Sequence, residues 1–169
     1  MGDGDSTVPT GSRAVKKGRR KAKKRPREEY VTHVIRVKAW DFYYSRHATD
    51  PKSKWERGPI SELATLSLTG EVVRPEKCKY KEGKLTFSGR ADYLDPQPGP
   101  SLVPIGSATA RGEEIESYVF VPEERLRLLL TAAQSGQIEV AQFTGPKLRY
   151  GGSVLHSVSL DTHFDEDEW

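Results

Sequence analysis

"YVTHVIRVKAWDFYYS", residues 30–45, carries β-branched or aromatic side chains at ten of its sixteen positions and contains neither glycine nor proline. Such side chains suit a pleated, half-buried surface, so the stretch reads as one long β-strand. Val34, Trp40, Phe42 and Tyr44 share one parity, whereas Val31, Ile35, Val37 and Tyr43 share the other. The inward parity therefore changes near Lys38 or Ala39. One extra residue there, a β-bulge, would make that change.

The segments that follow keep the β reading. "HATDPKSKWERGPIS" is a loop. "ELATLSLTGEVVRP" alternates Leu63, Thr65, Ser67 and Thr69 against Ala64, Leu66, Leu68 and Gly70, as a half-buried strand does. "GKLTFSGRADYL" supplies another strand, anchored by Leu85 and Phe87, with Ala91 and Tyr93 as further candidates. "DPQPGPSLVPIG" is a stiff, proline-rich connection, and "ESYVFV" a short strand. "QIEVAQFTG" and "GGSVLHSVSLDTHF" read as the last two strands, with Val154, His156, Val158 and Leu160 on one side of the latter.

One helix interrupts the series. In "VPEERLRLLLTAAQSG", Pro122 suits the first turn, and Glu123 and Glu124 sit at the positive end of the macrodipole. Leu126, Leu129, Leu130 and Ala133 make one apolar face, and Gly136 suits the left-handed position that ends a helix. Six or seven strands without βαβ alternation specify a mainly antiparallel β-sandwich or barrel-like body with one helix, about 122–135, over an open end or face. No internal repeat is present.

The charge lies elsewhere. Ten of the 27 basic and four of the 24 acidic side chains fall in residues 1–29, leaving 17 basic against 20 acidic in the remainder. The chain's net +3 thus belongs to a basic arm, and the body is mildly acidic. Residues 1–29 hold almost nothing to bury and read as a disordered arm, 30–164 as a globular domain, and 165–169 as an acidic tail. Lys16, Lys17, Arg19, Arg20, Lys21, Lys23, Lys24, Arg25 and Arg27 occupy nine of twelve consecutive positions. Dense cations attract phosphates through counterion release whatever their geometry, with a log–log salt slope near −5 for about six neutralised phosphates. Nucleic acid, another polyanion or an acidic protein is the partner this arm implies; a purely solubilising tail is the alternative. Asp165, Glu166, Asp167 and Glu168 are its nearest acidic counterpart in the chain.

Two aromatic features could recognise a ligand. Trp40, Phe42, Tyr43 and Tyr44 could form a stacking platform for sugars or bases, although core packing is the favoured reading of such large side chains. Trp55, between Lys54 and Arg57 in a polar loop, suits a carbohydrate or a peptide. A structural or accessory subunit with a protein partner on one sheet face is the remaining alternative. Catalytic patterns are lacking: no G-x-S-x-G, H-E-x-x-H or Walker loop occurs. "RYGGS" is a hairpin turn with Gly151 and Gly152 at positive φ, and Ser153 and His156 have opposite parity, so they make no triad with Asp161. Neither the four histidines nor "DTHFDEDE" has metal-ligand spacing, so no cofactor or metal is expected.

Cys78, flanked by lysines, reads as an ordinary surface thiol. A single cysteine forms no internal disulfide, and no secretory h-region is present. A reducing cytoplasmic setting, or a nuclear one in a nucleated host, is expected. No apolar run approaches the ~18 residues that span a bilayer.

Overall fold

A computed structural model describes residues 29–49, 60–90 and 102–165 of the chain. Among these residues eight strands and one helix follow in the order β1 (Tyr30–Ala48), β2 (Ile60–Arg74), β3 (Glu82–Arg90), β4 (Gly106–Arg111), β5 (Glu114–Pro122), α1 (Glu123–Gln134), β6 (Val140–Pro146), β7 (Gly152–Leu155) and β8 (Ser157–Asp161). They build a single curled sheet in the order β7-β4-β5-β3-β2-β1-β6-β8. The body is therefore barrel-like rather than a two-layer sandwich. Six of its seven strand pairs are antiparallel, and β3 with β5 is parallel.

The opening stretch behaves as its side chains dictate. β1 is nineteen residues long, and its register with β2 slips between Val37 and Ala39, leaving Lys38 as the extra residue of a bulge. Before the bulge Ile35 and Val37 share a face with Val72 and Gly70; after it Trp40, Phe42 and Tyr44 share that face with Leu68, Leu66 and Ala64. A second slip, between Val34 and Ile35, has no signature in the residue pattern.

The inner face of the curl holds the core: Ile35, Leu66, Leu68, Leu85, Phe87, Ile115, Val119, Phe143 and Leu155 are buried there. Helix α1 closes this face by setting Leu126 and Ala133 into it, with Leu129 and Leu130 half-covered. Leu126 packs where Gly89 has no side chain; a Cβ at residue 89 would lie 2.7 Å from Leu126 Cδ2. Pro122 is the N-cap, one position before the helix, and still the end of β5. At the other end Gly136 takes φ +69°. The Gln137 and Gly136 N–H groups donate to the Ala132 and Ala133 carbonyls, which satisfies two of the carbonyls the helix end leaves open.

The two ends of the sheet are neighbours in sequence. "GGSVLHSVSLDTHF" forms two strands rather than one: β7 pairs with β4, β8 pairs with β6, and His156 alone separates them. The His156 N–H donates to the Thr144 carbonyl at 2.9 Å, and Ser153 Oγ donates to the Pro146 carbonyl at 2.6 Å. The seam is tight: a Cβ on Gly145 would stand 2.1 Å from the Val154 carbonyl oxygen, so only glycine fits. In the turn before β7, Tyr150 and Gly151 take positive φ, whereas Gly152 already belongs to the strand. A two-residue turn of this kind needs left-handed backbone at both central positions, one residue earlier than the glycine pair suggested.

Candidate functional site

Trp40, Phe42 and Tyr44 are not core residues. They are 44%, 39% and 53% exposed although they share the inner face with fully buried Leu66 and Leu68. Two features leave them uncovered. β6 ends against β1 at the Arg36–Val140 pair, and α1 lies over β3, β2 and β5. The distal half of β1 is therefore an open strand edge of the sheet, backed by β2 and β3 as far as Tyr44 and by β2 alone beyond it. On its opposite face Tyr43, 54% exposed, pairs with Thr65.

Residues two apart on a strand lie about 6.6 Å apart, so Trp40, Phe42 and Tyr44 form an evenly spaced aromatic row. Ile60 extends the same face at 46% exposure. Arg46 flanks the row and is bound to Glu62 at 3.1 Å, a pair directly opposed across β1 and β2. The row can stack flat rings or bury apolar side chains. It holds no group placed to act as a nucleophile or a general base.

The backbone beside the row is open as well. In an extended strand of L-residues, the face a side chain takes fixes the side to which its own N–H and C=O point. Val37, an inner-face residue, points its N–H toward the β6 side, where it donates to the Glu139 carbonyl at 2.8 Å. After the bulge the inner-face residues are Trp40, Phe42, Tyr44 and Arg46, so their N–H and C=O groups face that same side. No strand among the described residues pairs with β1 beyond Arg36 there.

A second concavity, an open groove of about 740 Å³, lies where β2, β3 and β5 meet the 78–84 segment. Glu71, Glu82 and Glu114 stand in register across its three strands, with Lys84 and Glu116 in the next row. Lys38 reaches Glu71 at 2.9 Å, and their hydrogen bond holds the Glu71 carboxyl below its ordinary range. Lys81 binds Glu113 at 2.7 Å. Cys78, half-buried, lines the groove with Tyr80, beyond the plain surface position its sequence suggested. With four glutamates and three lysines, this groove favours neither sign of charge strongly.

The other sequence candidates fall as follows. The nine arm residues from Lys16 to Arg27, and the Lys54, Trp55 and Arg57 patch, lie outside the described residues, as do Ala91, Tyr93 and 166–169. Asp161 Oδ1 accepts the N–H groups of Thr162 and His163 at 2.7 and 3.3 Å, so it caps a turn. Among the described residues no group of three His, Cys, Asp or Glu side chains could hold a metal ion, and no helix is long and apolar enough to cross a membrane. No protein-family model matches the chain, and neither curated proteins nor solved structures match it significantly.

Proposed function

We propose that this protein is a non-enzymatic binding module for single-stranded nucleic acid, working in the cytoplasm or, in a nucleated host, the nucleus. The arm from Lys16 to Arg27 attracts phosphates, and Trp40, Phe42 and Tyr44 stack bases. The observation that carries the reading is the aromatic row: three large rings at even spacing, exposed on one face at the edge of the sheet. Base–aromatic stacking tolerates any sequence, since every base presents a π-face, and it complements a cationic segment that tracks the backbone. Because the body is mildly acidic, the electrostatic attraction belongs to the arm, whereas the row adds contact that does not depend on salt.

That division is testable by fluorescence anisotropy with a labelled, mixed-sequence oligonucleotide. Changing the nine arm cations to glutamine in the full chain should flatten the salt dependence. The Trp40→Ala/Phe42→Ala chain should keep the salt slope and lose affinity by about 1–3 kcal/mol per unstacked base. Absence of binding at ~50 mM salt, where phosphate attraction is strong, would refute the proposal. Unchanged affinity in the aromatic variant would leave the arm alone responsible.

A further inference from the structure

We infer that the open edge of β1 is completed by a second copy of the chain, the two β1 strands pairing antiparallel about a two-fold axis at Tyr43. The edge is long: beyond Arg36 no strand among the described residues pairs with it on the β6 side. Long, apolar, unpaired edges are templates for another strand, and folded proteins ordinarily blunt them with proline, charge or a bulge, or cover them. Past the Lys38 bulge this one has no proline, and Trp40, Phe42, Tyr43 and Tyr44 outnumber its charged Asp41 and Arg46.

The chain's own residues choose the register. Two copies related by an axis perpendicular to the sheet keep their faces matched, so each residue must meet one of its own parity. Centring the axis on Phe42 would set Arg46 opposite the partner's Lys38, a like-charge pair, and would draw the bulge into the ladder. Centring it on Tyr43 instead sets Phe42 opposite the partner's Tyr44, and Trp40 opposite the partner's Arg46. Aromatic pairs and arginine beside tryptophan are favourable cross-strand neighbours. In that register the outward-facing N–H and C=O groups of Trp40, Phe42, Tyr44 and Arg46 all find partners. The ladder continues from β2 through β1 into the second molecule, and the three-ring row becomes a six-ring face.

The size fits a weak, reversible dimer. At about 150–250 Å² per aromatic side chain, the uncovered fractions of these four residues total roughly 380 Å² on each copy; edge pairing covers only part of that, so the interface is less than half the ~800 Å² per partner of a standard one. This pairing stands apart from base stacking and is measured without nucleic acid. Sedimentation velocity over a roughly hundredfold range of concentration should show a monomer–dimer equilibrium.

Tyr44→Pro removes an N–H that faces the open edge while sparing the β1–β2 ladder, so it should give a monomer with unchanged circular dichroism. Across the two-fold axis, Tyr43 meets its symmetry mate as a non-hydrogen-bonded pair with Cα atoms about 4.5 Å apart, within disulfide reach. Mild oxidation of a Cys78→Ser/Tyr43→Cys chain should therefore give a covalent dimer, and the same treatment of Cys78→Ser/Leu128→Cys should not. A monomer at every concentration overturns the inference. So does equal cross-linking at the two positions, or a dimer that Tyr44→Pro leaves intact.

Discussion

His33 should make this protein lose stability on mild acidification. It lies on the inner parity of β1, 4% exposed, stacked on Phe143 at 5.2 Å and tilted against Tyr80 at 5.9 Å. Burial disfavours the imidazolium and lowers its pKa from 6.5 to about 4. The folded protein thus keeps His33 neutral where the unfolded chain would protonate it. His33's contribution is whole above pH 6.5, falls as pH drops below that value, and is gone near pH 4. A shift of this size corresponds to about 3 kcal/mol in total, of which about 2 kcal/mol is lost by pH 5. That is a large share of the ~5–15 kcal/mol by which a domain is usually stable. Urea unfolding of the wild type and of His33→Phe, compared at pH 7.5 and pH 5, isolates the effect, because the carboxylates that also titrate are common to both. The wild type should lose about 2 kcal/mol more than the variant. Parallel losses, or an NMR titration midpoint for His33 at or above pH 6, would refute the argument.

Leu85→Ala, at a fully buried position, should cost about 2–5 kcal/mol in chemical unfolding, whereas Trp40→Ala on the exposed row should cost less than about 1. Equal costs would mean that the row is covered in solution. Ser88 is buried, and its Oγ has no hydrogen-bond partner, so Ser88→Ala should be neutral or stabilising by about 1 kcal/mol. A melting temperature clearly below the wild type's would instead reveal a partner for that hydroxyl. A Cβ at residue 70 would stand 1.9 Å from the Arg36 carbonyl oxygen, so Gly70→Ala should cost about 3 kcal/mol or more; a wild-type unfolding midpoint would show that β1 and β2 can separate at the bulge.

Side-chain alternation carried much of this architecture in the sequence. The bulge at Lys38 was legible because the apolar parity of β1 reverses there, and α1 was legible because its apolar spacing and closing glycine agree. β4 was not. "GSATAR" has small and polar side chains without alternation, and it is a strand because β5 and β7 pair with it on either side. The division of the last apolar stretch at His156 depends equally on distant partners, since β4 claims one half and β6 the other. The same reason hid the candidate site. Trp40, Phe42 and Tyr44 have the pattern of core residues, and only the lengths of β6 and the position of α1 leave them in solvent. Residue types told which side chains share a face, but not whether anything lies upon it.

The central place of β1 has a consequence for synthesis. This strand leaves the ribosome before the other elements described, yet its Tyr30–Arg36 half pairs with β6, more than a hundred residues further along. At about 5–20 residues per second, that half waits for several seconds with its hydrogen-bonding groups unclaimed. An apolar strand edge thus stays open in the meantime, so slower translation between Arg74 and Val140 should lower the share of product that escapes aggregation.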